Sequence, residues 1–209
     1  MNVLSIGVES IVKSLRVGNF QFQDTTIKGV KVIEPVVYKD SRGHFAETYK
    51  YDDFCKGGID AVFVQDNQSS SIKGVLRGMH YQIERPQAKL VRVIEGAVFD
   101  VAVDLREGSE TFGSWVGEVL SSENMKQLFI PKGFAHGFLV LSEHATFCYK
   151  CDDVYCPGDE GGIAWNDPSV GIIWPALEGD TSFNCDQIIL SEKDKAHPLL
   201  NEVYQELHF

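Results

Sequence analysis

The sequence predicts an all-β fold, an antiparallel sandwich or barrel with a few short helices at its edge, and three observations carry that reading. The stretch KLVRVIEGAVFDVAVDL (89–105) alternates with the period of two that a strand imposes. Further short apolar runs follow at close intervals, bounded by glycine or proline. No long helical period separates them, as crossover helices of a parallel sheet would require.

Taken in order, a helical patch is expected near residues 6–16. Within 89–105, Val91, Val93, Ala97, Phe99, Val101, Val103 and Leu105 share one parity, with Arg92, Asp100 and Asp104 on the other. Glu95-Gly96 reads as a turn or bulge inside that run. QLFIP (127–131), HGFLVL (136–141) and ATFCYKC (145–151) read as further strands, punctuated by Pro131, Gly133, Pro157 and Gly161-Gly162. A second helical stretch is expected near 192–208, capped by Ser191. There is no internal repeat, low-complexity tract or linker, so one domain is expected.

Composition narrows the function classes. A chain of 209 residues, 44% hydrophobic and 23% charged, is long enough to bury a sizeable core. A net charge of −11 disfavours nucleic acid and anionic membrane as partners, though a local Arg/Lys cluster can still take an anionic ligand. The opening MNVLSIGVESIVKSL has no basic n-region and holds Glu9 among its apolar residues, so it makes a poor signal peptide. No apolar run approaches the ~18 residues of a membrane span. Cys55, Cys148, Cys151, Cys156 and Cys185 are an odd set without a secretory signal, which points to reduced thiols in a cytoplasm. Cys148 and Cys151 face opposite ways on a strand, and no second CxxC follows, so a zinc cluster is not expected.

VLRGMHYQ (75–82) poses the chemical question: His80 is a base, a metal ligand or a strand histidine satisfied by backbone. Downstream, FIPKGFAHGF contains Pro131-x-Gly133-x-x-His136, which resembles the second sequence box of the cupin superfamily. Metal-binding cupins offer two histidines one residue apart, then a carboxylate, then the later histidine. Here the matching strand gives His80 and Gln82, and Lys89 takes the carboxylate's place. A divalent cation gains little from an amide and is repelled by an ammonium, so no metal is expected.

The resemblance then becomes specific. DSRGHFAETY, FVQDNQSSS, GVLRGMHYQ, QAKLVRVIEGAVFDVAVDLREGSETFG, IPKGFAHGFLVLSE, YKCDDVY, IAWNDPSVGIIWP and LSEKD occur in order between about residue 28 and residue 196. Together they resemble the dTDP-4-dehydrorhamnose 3,5-epimerase family. That resemblance implies a cupin-type jelly roll without metal or cofactor, acting as a homodimer on a small-molecule nucleotide sugar. It implies inversion of C3 and C5 of dTDP-4-dehydro-6-deoxy-D-glucose, on the way to dTDP-L-rhamnose. It also divides the chain into an N-terminal extension (1–27) and one epimerase domain (28–209).

Epimerisation beside a ketone needs a base for the α-proton, a group to hold the enolate oxygen, and an acid on the opposite face. His80 suits the first task, since an ordinary imidazole titrates near neutral pH. Lys89 sits on the apolar parity of Val91 and Val93, odd for a solvent lysine; it is an oxyanion partner or a snorkelling strand-start lysine. Tyr149 shares a strand face with Phe147 and Cys151, so by itself it reads as a core tyrosine, and Asp194 by itself as a solvated helix-start residue. The resemblance makes Asp194 the partner of His80 and Tyr149 the acid. Arg77 has the opposite parity to His80, so the two reach one pocket only if Gly78 marks a bulge. The resemblance sets Arg77 near the diphosphate, which a guanidinium fork suits.

The remaining assignments come from the resemblance alone. Arg42, Phe45 and Glu47 resemble residues lent to the partner subunit's thymidine pocket; Gln65 and Asn67 resemble polar substrate contacts. Tyr155 resembles the residue stacked on thymine, and His136 a pocket histidine. Gln68 departs from the family's usual histidine and is expected to alter sugar contacts at most. The rivals are an epimerase acting at C3 or C5 alone, a sugar-nucleotide-binding cupin without catalysis, and a metal-dependent cupin. Loss of His80, Lys89 or Tyr149 would mark the second, and all three are present. The missing HxH speaks against the third.

Overall fold

The computed structural model describes residues 13–177 and 179–209. Its outer sheet has strands β1 (Ser14–Val17), β2 (Phe20–Asp24), β3 (Lys31–Pro35), β11 (Gln127–Ile130), β8 (Lys89–Glu95), β13 (His144–Cys151) and β6 (Gln65–Ile72), neighbours in that order. The facing sheet runs β10 (Trp115–Ser121), β9 (Ala97–Asp104), β12 (Phe134–Val140), β7 (Leu76–Gln82) and β14 (Glu160–Gly162). Every pairing within these two sheets is antiparallel. A hairpin of β4 (Val37–Asp40) and β5 (Gly43–Ala46) pairs only with itself among the described residues.

Three apolar layers follow from the alternation. Val91, Val93 and Phe147 of the outer sheet meet Val98, Ala102, Phe138 and Val140 of the facing sheet between the two. On the far side of the facing sheet, Val101, Val103 and Leu139 are covered by the chain after β14, through Ile163, Trp174 and Leu200. Helix α1 (Tyr51–Lys56) lays Phe54 against Phe20 and Phe22 with ring centroids 5.0 and 5.3 Å away, on the outer sheet's other face. Because β9 and β12 are covered on both sides, the polar parity of β9 does not face solvent. Asp100 and Asp104 are fully buried.

Gly96 makes the turn between β8 and β9, as its position forecast. Its φ is +75°, and a Cβ there would sit 2.0 Å from the His144 carbonyl. The helical expectations need correction. Residues 6–12 of the patch near 6–16 lie outside the described residues, and Ser14–Val17 is a strand. The stretch 192–208 does not form one helix: Pro198 interrupts it, leaving α2 (Glu192–Lys195) and α3 (Leu200–Val203). Ser191 caps α2 as expected, accepting the Asp194 backbone N–H at 3.1 Å. α1 was not foreseen.

Candidate active site

A pocket of about 320 Å³ opens inside the sandwich, with walls from β6, β7, β8, β12 and β13. Strand alternation selects its lining. On β6, Gln65, Asn67 and Ser69 point in, while Asp66, Gln68 and Ser70 are exposed on the opposite face. Gln68 therefore stays out of this pocket and lies beside Cys148, at 3.7 Å.

Arg77 and His80 both line the pocket, as only a bulge allows. The register supplies it: His136 pairs with His80, but Phe138 pairs with Arg77, so Gly78 and Met79 stand opposite the single residue Gly137. Gly78 has φ +131°, and a Cβ there would meet the Gly137 Cα at 2.5 Å. Arg77 donates from Nε to Ser71 at 3.1 Å, and the fork's other N–H groups make no bond to the protein among the described residues.

His80 Nε2 lies 2.6 Å from Asp194 Oδ1. Asp194 is buried at the start of α2, and its backbone N–H is fixed by the Ser191 cap. Burial acts to raise the Asp194 carboxyl, but His197 and His80 outweigh it and hold the group well below the usual carboxylate range. With Nε2 donating to this carboxylate, Nδ1 of His80 keeps the free lone pair, 3.8 Å from Glu160 Oε1. His197 was missed by the sequence reading. Its Nε2 is 3.5 Å from the same Asp194 oxygen, and its ring stands edge-on to His80 at 5.4 Å.

Lys89 is half-buried on the pocket wall, so its unusual parity is explained: it faces the interior with Val91 and Val93. Burial lowers its pKa from the lysine value, while Cys151, Asp100 and Glu160 act the other way. Tyr149, half-buried on the same sheet as Lys89 and facing the sheet that carries His80, has its phenol raised by burial and so stays protonated. His136 hydrogen-bonds Asp100 through Nε2 at 2.9 Å in a fully enclosed position. Burial pushes Asp100 up and His136 down, which favours the neutral forms of the pair.

The pocket rim is Tyr155 and Glu160. Tyr155 donates from its hydroxyl to Glu160 Oε2 at 2.6 Å, a bond that pushes the phenol up to about 12. Glu160 also pairs with Lys193. Neither Glu160 nor Asp100 was singled out in the sequence. Asp100 had a legible signal, a carboxylate on the face of Val98 and Ala102; Glu160 had none.

The structure thus brings together Gln65, Asn67, Arg77, His80, Lys89, His136, Tyr149 and Tyr155, with Asp194 behind His80. It does not bring Arg42, Phe45 and Glu47 to this pocket. Arg42 pairs with Asp40 at 2.6 Å, Phe45 is 68% exposed on the β4–β5 hairpin, and Glu47 accepts from Asn19 at 3.2 Å.

Among the positions where metal-binding cupins place ligands, the pocket keeps His80 and His136 but presents Gln82 and Lys89. His80, Asp194 and His197 do gather donor atoms within 4.8 Å of one another. There, however, the His80 nitrogen and the carboxylate oxygen are already engaged with each other at 2.6 Å.

A family model described as dTDP-4-dehydrorhamnose 3,5-epimerase matches residues 24–202. The chain is 51% identical over 183 residues to the dTDP-4-dehydrorhamnose 3,5-epimerase of Methanothermobacter thermautotrophicus, covering 88% of this chain and 96% of that one. Its fold is similar, with TM-score 0.84 and 49% identity, to a dTDP-6-deoxy-D-glucose-3,5-epimerase of Legionella pneumophila in complex with dTDP-4-keto-L-rhamnose, covering 91% of this chain and 98% of that one. A 3'-monoepimerase of Streptomyces bikiniensis in complex with dTDP-quinovose is more distant, at 34% identity and TM-score 0.78, covering 87% and 89%. The sandwich is accordingly the cupin-like fold of these enzymes. The chain belongs to the dTDP-4-dehydrorhamnose 3,5-epimerase family.

Proposed function

We propose that the chain inverts C3 and C5 of dTDP-4-dehydro-6-deoxy-D-glucose, giving dTDP-4-dehydro-L-rhamnose. The observation that carries the reading is the placement of His80 and Tyr149 on one pocket with Lys89 between the sheets. His80 Nδ1 takes a proton from the carbon beside the 4-keto group, and the electron pair moves into an enolate. Asp194 steadies the imidazolium that results. The Lys89 ammonium holds the enolate oxygen, in a site where water screens it little. Tyr149 returns a proton to the opposite face, and solvent restores both groups. The same cycle at the second α-carbon completes the double inversion.

The nucleotide is assigned to the mouth of the pocket. There Arg77 takes diphosphate oxygens, Gln65 and Asn67 offer polar contacts, and Tyr155 stacks on the base. His136, tied to Asp100, shapes the pocket wall. The projecting β4–β5 hairpin, with exposed Phe45 and Arg42, fits a dimer in which each subunit completes its partner's thymidine site. Exposed Val62 and Val64, just before edge strand β6, add apolar surface for such an interface. A cytoplasmic setting is supported by the free thiols of all the cysteines. No helix among the described residues is long and apolar enough to cross a membrane.

A C3-only epimerase uses the same base and acid, and the 3'-monoepimerase at 34% identity keeps that reading in play. The higher identity to 3,5-epimerases favours double inversion. Incubation with the 4-keto substrate in deuterium oxide tests it: deuterium at both C3 and C5 is expected, and deuterium at C3 alone would assign the chain to the single-epimerase class.

A further inference from the structure

Gln82 occupies the position where a metal-binding cupin has its second histidine, yet its amide does something else. It is 5% exposed, and both ends are used. Its Oε1 accepts the Cys156 backbone N–H at 2.8 Å, and its Nε2 donates to the Arg85 carbonyl at 2.7 Å and the Val154 carbonyl at 3.4 Å. The residues gripped, Val154 and Cys156, flank Tyr155 on either side. Tyr155 itself gives its backbone N–H to Gln65 Oε1 at 2.9 Å and its hydroxyl to Glu160 at 2.6 Å.

We propose that Gln82 is a positioning residue that holds the loop 152–160, and with it Tyr155, over the nucleotide end of the pocket. The proposal rests on the nucleotide-sugar reading given above. Other ties fasten the two ends of the loop: the Asp159 carboxylate accepts the Ile83, Glu84 and Arg85 N–H groups, and Gln87 donates to the Asp153 carbonyl. Between those ends, the side chains from outside the loop that bond the backbone of residues 154–156 are Gln82 and Gln65, among the described residues. An amide suits the task because the loop presents the Cys156 N–H and the Val154 carbonyl, and the Arg85 carbonyl of the neighbouring chain segment lies beside them, so an acceptor and a donor are needed on one planar group. A carboxylate of equal size keeps the acceptor but turns an oxygen toward two carbonyl oxygens.

The test is Gln82→Glu, with Gln82→Met as a neutral second variant, each alone and in a Tyr155→Ala background. The readouts are dTDP affinity by calorimetry and backbone amide exchange across 152–160. In the Glu variant the dTDP dissociation constant should rise about tenfold or more, and KM with it, while kcat at saturation changes far less. The Tyr155 and Cys156 amides should exchange faster. If Gln82 acts through Tyr155, adding Gln82→Glu to Tyr155→Ala should change affinity no further. Losses that simply add, or unchanged affinity with unchanged exchange in both variants, would overturn the proposal. A wild-type chain that fails to bind dTDP would overturn the nucleotide-sugar reading instead, and the exchange data would still decide whether Gln82 holds the loop.

Discussion

His80 Nε2 and Asp194 Oδ1 meet at 2.6 Å although 114 residues separate them in the chain. The contact joins the middle of a central strand to the capped first turn of a short helix near the C-terminus. It fixes which imidazole nitrogen is free and places a negative charge behind it. His80→Asn should therefore abolish solvent-deuterium exchange at the substrate's α-carbons. Asp194→Asn should slow it by about 10²-fold or more, since a positioned base contributes ~10²–10⁴-fold. Near wild-type exchange in His80→Asn would show that another residue is the base.

Lys89 stands where a metal-binding cupin places a carboxylate, and its role is separable from binding. Lys89→Met should lower kcat by about 10²–10³-fold, as loss of one oxyanion partner does, with little change in dTDP affinity. Exhaustive chelation should leave the wild-type rate unchanged. One tightly held transition metal per subunit, with activity lost on its removal, would refute the ammonium's role.

The hairpin predicts assembly. Phe45→Asp should weaken dTDP binding even though Phe45 lies outside the pocket of its own chain. Sedimentation of the wild type should give at least a dimer; a fully active monomer would refute the lent-residue picture.

Asp104 offers a stability test away from the chemistry. It is fully buried and accepts hydrogen bonds from Arg106, Ser109 and Thr111. Burial acts to raise its pKa, but these donors overcome it and bring it from 3.8 to about 2. A depressed carboxyl stabilises the fold above its unfolded value and loses that contribution as pH falls through the folded one. The contribution is about 2 kcal/mol, present above about pH 4 and fading toward pH 2. Asp104→Asn should thus melt earlier at pH 7, with the gap narrowing across that window. A gap independent of pH would assign the loss to packing.

Much of this was legible in the sequence, for physical reasons that also set the limit. A period of two reports a strand and which residues share its face, so β8, β9, β12 and β13 could be read directly, and Lys89 stood out by its parity while its inward aim stayed open against a snorkelling lysine. The bulge at Gly78 followed from requiring Arg77 and His80 to share a pocket, and the register bears it out. Parity does not say what covers a face, so Asp100, buried against His136, passed for polar alternation although it shares its face with Val98 and Ala102. Near 192–208 the break was legible in Pro198, which an uninterrupted helix does not tolerate, whereas the docking of Leu200 into the core was not. Glu160 and His197 reach the site through tertiary packing alone. Gly162 leaves room for the His197 ring, whose nearest atom would lie 2.3 Å from a Cβ there, and no local pattern announces that fit.

The division of labour between His80 and Tyr149 is tested most directly by measuring exchange and stereochemistry on the same samples. Taking and returning a proton on one face restores the starting sugar, so inversion needs a second donor on the other face. Tyr149→Phe removes that donor and leaves the His80–Asp194 pair intact. By NMR in deuterium oxide, this variant should still wash deuterium into the α-positions while the yield of inverted sugar falls much further than the exchange rate. His80→Asn should lose both together. If Tyr149→Phe inverts C3 and C5 as fast as it exchanges, Tyr149 is a wall of the pocket and not its acid.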